Sequence, residues 1–215
     1  MTHPPYRPVW QQQSPIALDH TSMPAHFPLE YLVINYPDEA LSGHFCEHNF
    51  WFDEPPLMAL DNQEAKLIRL HIHAPAEHLV FDEVQDFEIH FVNEFIDQSG
   101  DSKAVVIGAF FKEQDGAPTP AGIRALDQAL QGRAIAERTH YTVNPWTFLP
   151  TNIGQFFRYE GSLTTPAYDQ NVSWVVLPMP VLVDPHDVQA LKEHAEDDAR
   201  DIQKLERRFV LRNFL

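Results

Sequence analysis

The chain has one cysteine, Cys46, in 215 residues, which excludes an intrachain disulfide. That fits a reducing cytosol better than an oxidising compartment. No apolar run is long enough to cross a bilayer as a helix. The opening MTHPPYRPVWQQQ lacks the apolar stretch of a secretory signal, so the expected location is cytoplasmic. Cations are scarce, with 15 Lys and Arg against 31 Asp and Glu and a formal charge of −16. Such an excess disfavours nucleic acid and anionic membrane surfaces as partners. No internal repeat, linker, heptad or low-complexity block is visible. What is abundant is apolar and aromatic content, 44% and 12%, which argues for a folded globular chain rather than disorder. The expectation is one domain over residues 1–215, with 1–12 as a proline-bearing arm.

Strand-like segments dominate. LEYLVINY within Pro24–Tyr36 is β-branched and aromatic. FCEHNFWF, Phe45–Phe52, reads as a further strand, stopped by the prolines of DEPP. Lys103–Lys112 is a continuous apolar run expected to be a buried strand, and QFFRYEGS and NVSWVVLP read as strands. Helical spacing is confined to Ala117–Thr139, as one or two short helices, and to Pro185–Arg200, where Asp187 is the expected cap.

The most informative stretch is LIRLHIHAPAEHLVFDEVQDFEIHFVN, Leu67–Asn93. Both its ends alternate with period two, so Arg69, His71 and His73 share one face, and Glu88, His90 and Val92 share another. Antiparallel pairing of the two runs brings His71, His73 and His90 together. Three imidazoles with one open position suit a catalytic zinc ion. Glu88 stands where it can take the remaining N–H of His90. Two other readings fit the same residues. The histidines can simply decorate a solvent-facing strand. Alternatively, His71-x-His73 with Glu77 resembles the first motif of cupins, in which the glutamate is itself a ligand.

Four blocks, in order, resemble the alpha-class carbonic anhydrases of bacterial type: QSPI at Gln13–Ile16, HIHAPAEH with FEIHFVN, FRYEGSLTTP at Phe157–Pro166 continued by Val172-Ser173-Trp174, and Gln203-x-Leu205 with Arg208. A cupin predicts neither QSPI nor SLTTP. The resemblance implies a mainly β fold, with a large, mostly antiparallel central sheet of about ten strands and a few short peripheral helices. It implies zinc-dependent hydration of carbon dioxide to bicarbonate by attack of zinc-bound hydroxide, with Zn²⁺ on His71, His73 and His90. Thr164 would accept a hydrogen bond from that hydroxide while donating to Glu77. Glu88 would orient His90, and Thr165 would border bicarbonate. Val92, Val106, Leu163 and Trp174 would form the carbon dioxide pocket, although ordinary core packing is the commoner fate of such residues. Ser42-Gly43-His44 resembles a proton-shuttle motif, with His48 as the alternative in strand register. Bacterial relatives often dimerise, so a homodimer is compatible, although no self-complementary patch is legible.

The chain also departs from the family pattern. The tryptophan- and glycine-rich segment before QSPI is short or missing. Ala167 replaces a proline, and Tyr168 stands where secreted members often carry a cysteine. Arg69 stands where a glutamine usually supports the first ligand. A guanidinium cannot accept the His71 N–H, so that bond must go elsewhere. A non-catalytic member kept as a binding module is the competing function. Such members typically lose a zinc histidine, and here all three are present.

Overall fold

The computed structural model describes residues 11–24, 32–46, 48–97, 103–131, 139–195 and 199–215. In chain order the strands are β1 (Ala17–Leu18), β2 (Met23–Pro24), β3 (Leu32–Asn35), β4 (Leu41–Cys46), β5 (Asn49–Phe52), β6 (Leu57–Leu60), β7 (Gln63–His73), β8 (Leu79–Val80), β9 (Phe87–Phe95) and β10 (Ala104–Glu113). Helix α1 (Ala121–Leu130) follows, then β11 (His140–Val143), β12 (Phe157–Ser162), β13 (Gln170–Val183), helix α2 (Gln189–Glu193) and β14 (Leu211–Arg212). Twelve strands form one sheet in the order β11-β4-β5-β7-β9-β10-β13-β12-β14-β2, with β3 and β6 joined at β7; β1 and β8 pair separately. Within that sheet β10–β13 and β14–β2 are parallel and the other pairs antiparallel. The fold is mainly β, as expected. Among the described residues no helix is long and apolar enough to cross a membrane.

The sheet separates two apolar layers. Phe45, Phe50, Leu70, Ile72, Phe91 and Ile107 pack on one side, where Ile123, Leu126 and Leu130 of α1 cover them. That i, i+3, i+7 spacing puts all three on one helix face. Buried Asp127, on the same face, accepts the Leu191 amide at 2.9 Å and so ties α1 to α2. Val92, Val106, Tyr159 and Trp174 pack on the other side.

Several boundaries differ from the sequence reading. Phe45–Phe52 is not one strand but the hairpin β4–β5. Phe45 and Phe50 are cross-strand partners and both are buried. Five residues apart on one continuous strand they would face opposite sides, so only a reversal between Cys46 and Asn49 buries both. Strand β11 lies where the sequence pattern predicts none; its His140–Val143 completes the edge beside β4. The C-terminal helix is short and has no side-chain cap; Asp187 instead ends a 3-10 turn, Pro185–Asp187, which Asp184 caps by accepting the His186 amide. The first ten residues of the expected arm, and parts of the Pro24–Tyr36, Ala117–Thr139 and Pro185–Arg200 segments, lie outside the described residues.

Candidate metal centre

Strands β7 and β9 pair so that His71 stands opposite His90, His73 opposite Glu88 and Arg69 opposite Val92. Cross-strand partners share a face, so alternation on each strand places three imidazoles side by side. The rings of His71 and His73 are 4.4 Å apart, and those of His73 and His90 4.7 Å. All three histidines are buried.

Two of the rings have fixed orientations. His71 Nδ1 donates to Asn49 Oδ1 at 2.7 Å, which leaves Nε2 as the lone-pair nitrogen. The same oxygen accepts Arg69 Nε at 2.8 Å. Asn49 therefore supplies the acceptor that Arg69 cannot be. On the other side, His90 Nε2 lies 2.9 Å from Glu88 Oε1 and leaves Nδ1 for a ligand. Glu88 is completely buried, and besides this close approach of His90 its oxygens take three hydrogen bonds. His78 Nδ1 lies 2.8 Å from Oε1, and the amides of Glu77 and His78 donate to Oε2 at 3.0 and 2.9 Å. The chain of contacts continues from His78 Nε2 to Tyr159 Oη, 2.7 Å, and from Tyr159 to Ser14 Oγ, 2.9 Å. The Gln-Ser-Pro-Ile motif thus anchors the far end of the group that orients His90.

Electrostatics follow from this packing. Burial, with His90 and Arg69 nearby, pushes the His71 pKa down to about 3. Burial and the two neighbouring imidazoles hold His73 well below its ordinary value. Both rings are therefore neutral at neutral pH, the form that coordinates metal. Burial alone would raise Glu88, but His78 and His90 hold it well below the usual carboxylate range. Burial would lower His90, but Glu88 and Glu77 outweigh it and raise it. A cation with affinity for nitrogen fits this donor set, because two rings are already neutral and two are turned by fixed acceptors.

Glu77 is buried beside the same rings. Its Oε2 is 3.2 Å from His73 Nε2 and 3.9 Å from His90 Nδ1, while Oε1 accepts the Arg200 amide at 3.0 Å. His73, Glu77 and His90 bring their donor atoms within 4.8 Å of one another. Among the described residues Oε2 has no hydrogen-bond partner, and no hydrogen bond joins Thr164 to Glu77.

Thr164 instead lines a narrow cavity above the rings. Its walls are Arg69, His71, His90, Val92, Val106, Leu163, Thr164, Thr165 and Trp174. All four residues expected to form an apolar pocket, and both threonines, meet here. His44 and His48 do not line it. His44 lies on β4, two strands from β7, with Nδ1 3.5 Å from Asp53. His48 is exposed in the turn before Asn49, its Nδ1 3.3 Å from the His194 carbonyl oxygen.

Several residues of this centre escape sequence reasoning. Asn49, His78, Tyr159, Ser14 and Arg200 act through long-range contacts that no local pattern announces. Gly108 does carry a signal, as the lone glycine within a buried strand. A Cβ there would sit 2.7 Å from Glu88 Oε1, so the glycine makes room for the carboxylate.

Comparison with known proteins matches residues 7–214 to the model of the eukaryotic-type carbonic anhydrase family. The chain is 30% identical over 187 residues to a protein named carbonic anhydrase from Nostoc sp., covering 85% of this chain and 67% of that protein. A carbonic anhydrase from Pectobacterium atrosepticum is 27% identical over 205 residues, 94% of this chain and 80% of that one. Among solved structures, the alpha-carbonic anhydrase of Thermovibrio ammonificans in complex with the inhibitor sulfanilamide superimposes with a TM-score of 0.73 at 27% identity, covering 95% of this chain and 88% of that one.

Proposed function

Because the chain belongs to the eukaryotic-type carbonic anhydrase family, we propose that it catalyses the reversible hydration of carbon dioxide to bicarbonate and a proton, with Zn²⁺ held by His71, His73 and His90. The observation that carries this reading is the meeting of three buried imidazoles with a cavity one wall of which is Val92, Val106, Leu163 and Trp174. Zinc, when bound in such a site, supplies a hydroxide nucleophile by lowering the pKa of its water to about 7, a magnitude for which carbonic anhydrases are themselves the reference example.

The chain's own residues do the rest. Val92, Val106, Leu163 and Trp174 give an uncharged, nonpolar substrate a dry wall to rest on. Glu77 Oε2 is a buried acceptor without a hydrogen bond among the described residues, and in this reading it takes the Thr164 hydroxyl proton. A hydroxyl that donates there has only lone pairs left for the attacking oxygen, and so orients it. Thr165 borders the product position. His44 carries the proton outward, with His48 as the alternative, because imidazole exchanges protons near neutral pH. A cytoplasmic setting agrees with a lone cysteine.

The test is zinc content and hydration rate on four preparations: unmodified chain, Glu77→Gln, Thr164→Ala and the double variant. Zinc is expected to stay bound in all four. Hydration falls roughly 10–100-fold in each single variant, the range usual for residues that support a metal site. The double variant is less than additive because the two side chains act as a unit. Loss of zinc with Glu77→Gln would instead make Glu77 a ligand, as in a cupin-like centre. No hydration by the zinc-loaded unmodified chain would identify a binding module.

A further inference from the structure

Among the described residues, Arg69 is the one Lys or Arg lining the cavity beside His71 and His90. Its Nε is committed to Asn49 at 2.8 Å, and its guanidinium lies over the Trp51 ring at 5.2 Å. These two contacts fix its plane. Its terminal nitrogens have no hydrogen-bond acceptor among the described residues, and the only charge that favours the guanidinium is the exposed Glu94 carboxylate. A guanidinium with Nε occupied presents its two Nη groups as a fork, and that fork matches two oxygens of a planar anion.

Whole-molecule charge makes this arrangement more pointed. A net charge of −16 repels anions from the surface. Within the cavity the histidines are neutral or face carboxylates, so a small anion there has Arg69 as its one protein-borne cationic partner among the described residues.

We infer that Arg69 forms an anion subsite in the cavity, which takes a small planar monoanion of the carboxylate type through its Nη fork, bicarbonate being the one the proposed reaction makes. The inference rests on that proposed reaction only for the identity of the anion. The subsite itself needs no metal. Arg69 is a binding residue here, and Asn49 and Trp51 hold it in place.

The experiment measures ¹³C-bicarbonate binding, by NMR line broadening, to the metal-free full-length chain, with Arg69→Gln and Arg69→Lys beside it. Glutamine can still donate to Asn49, so a merely structural role for Arg69 is preserved in that variant. Circular dichroism checks that each preparation is folded. Unmodified chain is expected to bind bicarbonate and to release it to added formate. Arg69→Gln weakens binding by roughly five-fold or more, because a charge-assisted pair is lost. Arg69→Lys, which keeps the charge but not the fork, falls between the two. With zinc loaded, Arg69→Gln should also raise the concentration of bicarbonate needed for product inhibition. Equal binding by the unmodified chain and Arg69→Gln, or no binding by the unmodified chain, overturns the inference. Hydration assays on the same zinc-loaded preparations separate the two claims. Active enzyme without Arg69-dependent binding defeats the subsite alone, and Arg69-dependent binding by an inactive zinc-loaded chain defeats the proposed reaction alone.

Discussion

Asn49 Oδ1 accepts the Nδ1–H of His71 at 2.7 Å, from a strand that a reading of Phe45–Phe52 as one continuous segment never places beside the histidines. The contact fixes the ring's tautomer and aims Nε2 at its neighbours. Asn49→Ala should weaken zinc affinity by roughly 10–100-fold, the usual cost of removing a group that orients a ligand. Competition with a chelator of known affinity measures this, and unchanged affinity would show that His71 needs no such support.

His90 is expected to be indispensable for the metal. His90→Ala should lose most bound zinc, and should also remove the imidazole that approaches Glu88 at 2.9 Å. Metal analysis of the purified variant decides it. Tightly held zinc at one equivalent per chain would move the centre elsewhere.

Proton transfer distinguishes two histidines. If His44 serves, His44→Ala lowers the hydration rate in weak buffer and added imidazole restores it, while His48→Ala behaves like the unmodified chain. The reverse result moves the role to His48. If neither substitution has an effect, the proton leaves by another route. His44 starts about 10 Å sideways from β7, two strand spacings, so its side chain must bridge that gap through water.

Acid stability should report on Glu88. Its folded pKa lies well below the ordinary 4.5. A carboxyl depressed in this way contributes stability that is fully present above the unfolded value and is lost as pH falls toward the folded one. Urea midpoints of the metal-free chain should therefore drop below about pH 5. Glu88→Gln should be less stable at pH 7, by roughly 3–5 kcal/mol as for one partner of a buried charged pair. The gap between variant and unmodified chain should narrow with acid. A gap that stays constant from pH 7 to pH 4 would contradict the depressed pKa.

Gly43 is required by space. A Cβ at Gly43 would meet the Trp51 carbonyl oxygen at 2.2 Å and a Phe50 ring carbon at 2.5 Å. Gly43→Ala should force β4 away from β5 and cost ~1–3 kcal/mol, as overpacking does. It should also disturb His44 and Asn49, which lie on this hairpin. Thermal unfolding gives the cost, and an unchanged midpoint would mean that the hairpin yields freely.

The amino-acid sequence by itself determined whatever depends on period and order. Alternation in Leu67–His73 and Phe87–Asn93 set which side chains share a face, whereas the register shift between Leu67 and Arg69 on β7 was not written in that alternation. Apolar continuity made β10 a buried strand, and ordered motifs indicated the family. Tertiary structure alone decided the partners of those side chains. Phe45–Phe52 folds back because two aromatic residues of opposite parity both require burial, and local pattern does not weigh that demand. The reversal delivers Asn49 to both His71 and Arg69. The contacts from Glu88 through His78 and Tyr159 to Ser14 join residues up to 145 positions apart. A hydrogen bond between residues so far apart is chosen by the packed core that brings them to 2.9 Å, and no local segment encodes it.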